Sequence, residues 1–78
     1  MLPLAGSIHA LILSVTPVSI HGDMYFDLVL QTAEDAAANR AKQIRVPVHA
    51  CSGGRPPEVG ERVEVQFLMQ QVTGVRVV

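Results

Sequence analysis

His49 and Cys51 stand two apart in "VHAC" and bring together the two residue types best suited to nucleophilic or metal chemistry. In an extended strand this spacing puts both side chains on one side, about 7 Å apart at the backbone. A nucleophilic pair needs closer contact and a third group to orient the base, and none is evident. A structural zinc ion needs four ligands, usually in tight pairs. Only His9 and His21 could add to the set, and Cys51 is the single cysteine. "SGGRPP" is no phosphate loop, because it lacks the Lys-Ser/Thr ending and the helix that follows. The residues therefore point to no enzyme, no metal and no cofactor. Cys51 is expected to be a small apolar filler.

Recognition chemistry has more to work with. Four of the six Lys and Arg residues, Arg40, Lys42, Arg45 and Arg55, fall between positions 40 and 55. Tyr25 and His49 add flat rings. A ring with cations beside it holds a base and its phosphate together. These six residues form the candidate site for single-stranded DNA or RNA. Asp27, Glu34 and Asp35 lie near them and partly cancel their charge. The formal net charge is −1, with one Tyr, two Phe and no Trp. Tight binding through phosphates normally needs a basic stripe. The competing reading of the same residues is an ordinary solvated sheet face.

These side chains must be positioned by strands. "SIHALILSVTPV" (7–18) is apolar on both faces, with Ile8, Ala10 and Ile12 on one and Leu11, Leu13 and Val15 on the other. A long strand, bent or bulged to serve two parts of a barrel, would use both. Pro17 predicts an edge or an ending. "SIHGD" is a turn in which Gly22 takes positive φ. "MYFDLVLQ" (24–31) alternates cleanly, with Met24, Phe26, Leu28 and Leu30 inward. In "TAEDAAANRAKQ", Thr32 and Asp35 resemble a capping box. With no large apolar side chain, that stretch is expected to be at most a short helix in a mobile connection. "QIRVPVHAC" (43–51) predicts a third strand with Ile44, Val46, Val48 and Ala50 inward and Arg45, Pro47, His49 and Cys51 outward. "SGGRPPEVG" is a loop. Val63, Val65, Phe67 and Met69 form the inward set of a fourth strand. "QQ" at 70–71 reverses the chain, and "VTGVRVV" is the fifth strand.

Five strands in 78 residues form a single all-β domain over residues 1–78. An open sheet would expose an apolar face and two edges. A small five-stranded barrel removes both problems. At this size one core supplies only about 3–5 kcal/mol. Apolar residues are 49% and charged residues 17%, against roughly 25% charged in typical domains. Leu11, Leu13, Val29, Leu68 and Val78 remain once the inward sets fill the barrel. They are the candidate interface of a homodimer or higher homo-oligomer. No apolar run approaches the roughly 20 residues that span a membrane, and the N-terminus lacks the positive start of a signal peptide. The lone thiol fits a reducing compartment, so a cytoplasmic location is expected.

The turn and strand "EVGERVEVQFL" carry a family resemblance. Gly60, Glu61, Arg62, Val63 and Val65 are similar to the Gly–acid–base–Val turn that opens the fourth strand of many OB-folds (oligonucleotide/oligosaccharide-binding barrels). The order of long first strand, alternating second, variable connection and third strand also resembles that family. More loosely, it resembles the single-stranded-DNA-binding and primosomal replication branch. The likeness spans about residues 7–78. It implies a five-stranded, partly open Greek-key barrel that binds single strands weakly and with little sequence preference. The chain departs from the family in three ways. "CSGGRPPEV" is too short and too rich in Pro and Gly for the usual helix between strands three and four. Aromatic positions are sparse, and no acidic C-terminal tail follows. The alternative is a protein-interaction or assembly module without a nucleic-acid role.

Overall fold

The computed structural model describes residues 5–69 and 71–78. Its elements are β1 (Ala5–Ile20), β2 (Asp23–Gln31), helix α1 (Ala33–Ala37), β3 (Lys42–Pro47), β4 (Arg62–Leu68) and β5 (Gln71–Val77). Two single 3₁₀ turns, Val48–Ala50 and Ser52–Gly54, lie between β3 and β4. The chain is all-β. Its strands form one antiparallel sheet in the order β3-β2-β1-β4-β5. No described helix is long and apolar enough to cross a membrane.

The two-faced apolarity of β1 has a specific cause. Residues Ala5–Leu11 pair with β4, and Leu11–Ile20 pair with β2. A bulge between Ile12 and Ser14 inserts Leu13 into the ladder. One extra residue shifts the two-residue period by one. Ala10 and Ile12 are buried before the bulge, and odd-numbered Val15 packs against the core after it. Val15 therefore does not share a face with Leu11 and Leu13, as unbroken alternation predicts. The strand also does not end at Pro17. That proline lies where β1 pairs with β2 alone, and a residue without N–H is tolerated on such an edge.

The core draws on every strand: Ile12 and Ala10 from β1, Leu28 and Leu30 from β2, Val46 from β3, Val63 and Val65 from β4, and Val75 from β5. Val46 and Val75 belong to strands at opposite ends of the sheet order, yet they are only 0% and 3% exposed. Among the described residues no second layer of helices covers the sheet, so its inward face packs on itself, with Val46 and Val75 in one core cluster. A parallel bridge, Cys51 to Val75, joins the segment after β3 to β5. Burying these side chains supplies the main stabilisation, at about 1.5–3 kcal/mol for each large aliphatic group.

Three local expectations are corrected. β3 stops at Pro47 instead of running to Cys51, and Val48–Ala50 turns away as a 3₁₀ segment. Cys51, expected to face outward, is buried in the core. On β4, Leu68 pairs with Gln71, so the reversal begins at Met69. Met69 has φ of 52° and is exposed, not inward. Gln70, expected to open the reversal, lies outside the described residues.

The connection after β2 is better held than its alanine run predicts. The Thr32 hydroxyl accepts from the Asp35 amide, and the Asp35 carboxylate accepts from the Thr32 amide, both at 3.1 Å. This is the capping box that the sequence suggests. Asp35 is buried, and Lys42 donates to its two oxygens at 2.7 and 2.9 Å. A charge pair, not an apolar side chain, ties α1 to the start of β3.

Candidate nucleic-acid interface

The β2–β3 ladder sets the outer face of this hairpin. Tyr25 lies opposite Pro47, Asp27 opposite Arg45, and Val29 opposite Gln43. The tight turn at His21 (φ 51°) and Gly22 (φ 85°) fixes the register of β2 against β1, as two-residue hairpin turns of positive φ do. Tyr25, half-buried, then lines a hollow of 220 Å³ together with Pro47, Val48, His49, Asp23 and Met24. His49 reaches this hollow because the chain turns after Pro47. On a continued strand it would sit farther along the sheet.

The six candidate residues divide into four groups. Tyr25 and His49 meet in the hollow. Arg45 shares the outer face but is bound side-on by Asp27, with Nε to Oδ1 at 2.7 Å and Nη2 to Oδ2 at 3.1 Å. The Arg45 hydrogen bonds are the chief cause that holds the Asp27 carboxyl below its ordinary value of 3.8. Lys42 is the first residue of β3. It opposes Leu30 at an inward register position and serves Asp35. The Asp35 carboxyl falls to about 2, chiefly through the Lys42 hydrogen bond and then through the Thr32 amide. Arg40 and Arg55 are exposed in the two connections, away from the strand positions that build the hollow. Exposed pairs such as Arg45–Asp27 are weak because water screens them, so a phosphate oxygen can replace the carboxylate. The buried Asp35 leaves Lys42 no such freedom.

His49 and Cys51 differ in burial, although both border the space beside β5. His49 is exposed and Cys51 is buried, with Sγ 4.0 Å from the Pro47 carbonyl oxygen. Burial pushes the thiol's pKa up, which keeps it protonated and a poor nucleophile. Among the described residues, no three His, Cys, Asp or Glu side chains gather as a metal site would require.

Sequence reasoning missed a second hollow of 240 Å³ at the seam where the Val48–Gly54 segment meets β5. It is lined by His49, Ser52, Gln66, Gly74 and Arg76, among others. Its pairing, Gln66 opposite Gly74 and Glu64 opposite Arg76, depends on the β4–β5 register, which the turn at Met69 and a bulge at Thr73 set together. Arg76 donates to Glu64 at 2.8 Å, and His9 approaches the same carboxylate at 3.5 Å.

The five candidate interface residues do not form one patch. Leu11 faces Arg62 across the ladder, Val78 donates its amide to the Arg62 carbonyl, and Val29 pairs with Ser14 beside the Leu13 bulge. Leu68 lies six residues along β4 from Arg62, roughly 20 Å away by strand rise. Val59, also exposed, precedes Gly60, whose amide donates to Ile12 at 2.9 Å. The exposed apolar residues near the start of β4 are thus Leu13, Val59, Val77 and Val78.

Comparison of the chain with protein-family models, with curated proteins and with solved structures gives no match.

Proposed function

We propose that the chain is an OB-like barrel that binds single-stranded nucleic acid weakly and with little sequence preference. The observation that carries this reading is the meeting of Tyr25, Pro47 and His49 in one open hollow on the outer face of β2 and β3. A base stacks on a ring of any sequence context because every base has a π face. Arg45, two positions from Pro47 on the same face, is in reach of the adjoining phosphate. The sheet order and the parallel Cys51–Val75 bridge support the barrel, since they draw β3 and β5 toward one another. With Lys42 committed to Asp35 and Arg45 shared with Asp27, the electrostatic contribution is small, in keeping with weak binding. The test is a titration of fluorescein-labelled oligothymidylate at low and near-physiological salt. Binding at low salt that weakens steeply as salt rises is the expected result. No binding at low salt defeats the reading.

A second reading, self-association as an assembly module, has its own support in the exposed Leu13, Val59, Val77 and Val78 near the start of β4. The partner is a second copy of the chain. Sedimentation equilibrium decides it: a monomer at high concentration rules it out, and a dimer that Val78→Asp dissociates sustains it.

A further inference from the structure

Gly74 is the one glycine whose φ does not lie in the positive range. The backbone therefore does not require glycine there. Glycine inside a strand weakens it, and such a glycine often marks a bulge or a close approach by a ligand or another chain segment; Gly74 follows the β5 bulge at Thr73, which leaves its φ outside the positive range. A Cβ at this position would lie 3.2 Å from Gln66 Oε1 and 4.0 Å from the Ala50 carbonyl oxygen. The neighbouring backbone thus leaves room for a side chain, and the only crowded atom is the end of an exposed, flexible glutamine. The missing side chain opens the floor of the seam hollow and lets the Gln66 amide lean over it.

The two hollows share one wall. His49 lines the Tyr25 hollow and the seam hollow alike. Each is smaller than the roughly 300–1,000 Å³ of a site for a drug-sized ligand and suits one flat ring system. The seam hollow adds the Gln66 amide, a donor and an acceptor on one plane, which matches the paired donor and acceptor along a base edge. Ser52 adds a hydroxyl, and Arg76 a cation held at its rim by Glu64.

We infer that the seam hollow is a second base pocket, so that successive bases of one strand occupy the Tyr25 hollow and the seam hollow, with His49 between them. This rests on the single-strand reading above and extends it to β4 and β5. The experiment compares wild type, Gly74→Val, Gln66→Ala and Tyr25→Ala against labelled oligothymidylate and a labelled abasic oligomer at low salt. Valine suits a strand, so Gly74→Val is expected to melt no lower than wild type while it fills the hollow. It should weaken oligothymidylate binding about tenfold, in line with the loss of one stacked base, and leave the abasic oligomer unaffected. Gln66→Ala, which cannot disturb the fold from its exposed position, should weaken the same strand about threefold. If Tyr25→Ala loses binding while Gly74→Val and Gln66→Ala do not, the second pocket is wrong and the single-strand reading stands. An equal loss on the abasic oligomer also overturns the pocket. If wild type binds neither strand, both inferences fall.

Discussion

The β2–β3 hairpin carries two acid–base pairs that look alike in sequence and behave differently in the fold. At its closed end, Asp35 is 2% exposed and binds Lys42 and the Thr32 amide together. On its outer face, Asp27 binds Arg45 in the open. The first pair holds a connection that has no large apolar side chain. The second holds nothing that the ladder does not already hold. The contrast shows how one chain spends similar residues on architecture in one place and leaves them available for exchange in another.

Removal of the closed-end pair should have the largest effect. Asp35→Ala takes away the cap acceptor and both oxygens that receive Lys42, and frees α1 from β3. A fall in Tm on the order of 10 °C is expected for a domain of this size, read by circular dichroism. Asp27→Ala should move Tm far less. Equal losses in the two variants would erase the distinction between the pairs.

Acid titration sharpens the same contrast. The folded Asp35 carboxyl titrates near 2, against an ordinary value of 3.8. A lowered value means that the folded state resists protonation, so this group's contribution is complete above 3.8 and lost as pH falls toward 2. Wild type should lose stability across that window, and Asp35→Asn should lack that component of the slope. Asp27→Asn should retain it. Denaturant melts at a series of pH values measure this directly. Thr32→Ala comes next in size. It removes one capping oxygen and should cost about 1 kcal/mol, with the Lys42–Asp35 pair intact.

Much of the strand plan was legible because period-2 alternation survives in β4 and in β2 from Phe26 onward, where one face packs on the core; Met24, expected inward with them, is exposed at the open end of β2. Val63, Val65 and Phe67 are buried as their spacing predicts. Leu13 shows where such reading stops. A bulge adds one residue without a marker of its own, so the parity change that sends Val15 inward is invisible in "LILSV". The alternation in "VPVHAC" misleads for the opposite reason. It continues past Pro47, while the backbone has already turned into a 3₁₀ segment. The charge pairs were harder still. Arg45 meets Asp27 only through a register fixed across a ten-residue connection, and Lys42 meets Asp35 only because Thr32 starts a helix. The candidate cations therefore gathered by sequence position, and pairing then divided them. Gln66 and Gly74 were missed because the reversal begins at Met69, one residue before the "QQ" that marks it in sequence, and because a bulge at Thr73, as unmarked as the one at Leu13, then moves Gly74 opposite Gln66.

The smallest expected change in stability accompanies the most informative change in binding. Asp27→Asn removes a carboxylate from the outer face and leaves Arg45 without its partner. Because that pair is exposed, Tm should stay within about 2 °C of wild type. Two effects then favour a strand laid across Tyr25: Arg45 no longer has to leave a carboxylate to meet a phosphate, and the negative charge that repels the phosphate is gone. Affinity for labelled oligothymidylate should rise about threefold to tenfold at low salt. Arg45→Met should act in the opposite sense and flatten the salt dependence by about one counterion. The double variant separates the two effects: if Asp27 acts only by occupying Arg45, Asp27→Asn brings no gain once Arg45 is methionine. A gain that persists assigns the effect to repulsion. A loss of affinity in Asp27→Asn would mean that the outer face of β2 and β3 is not where the strand lies.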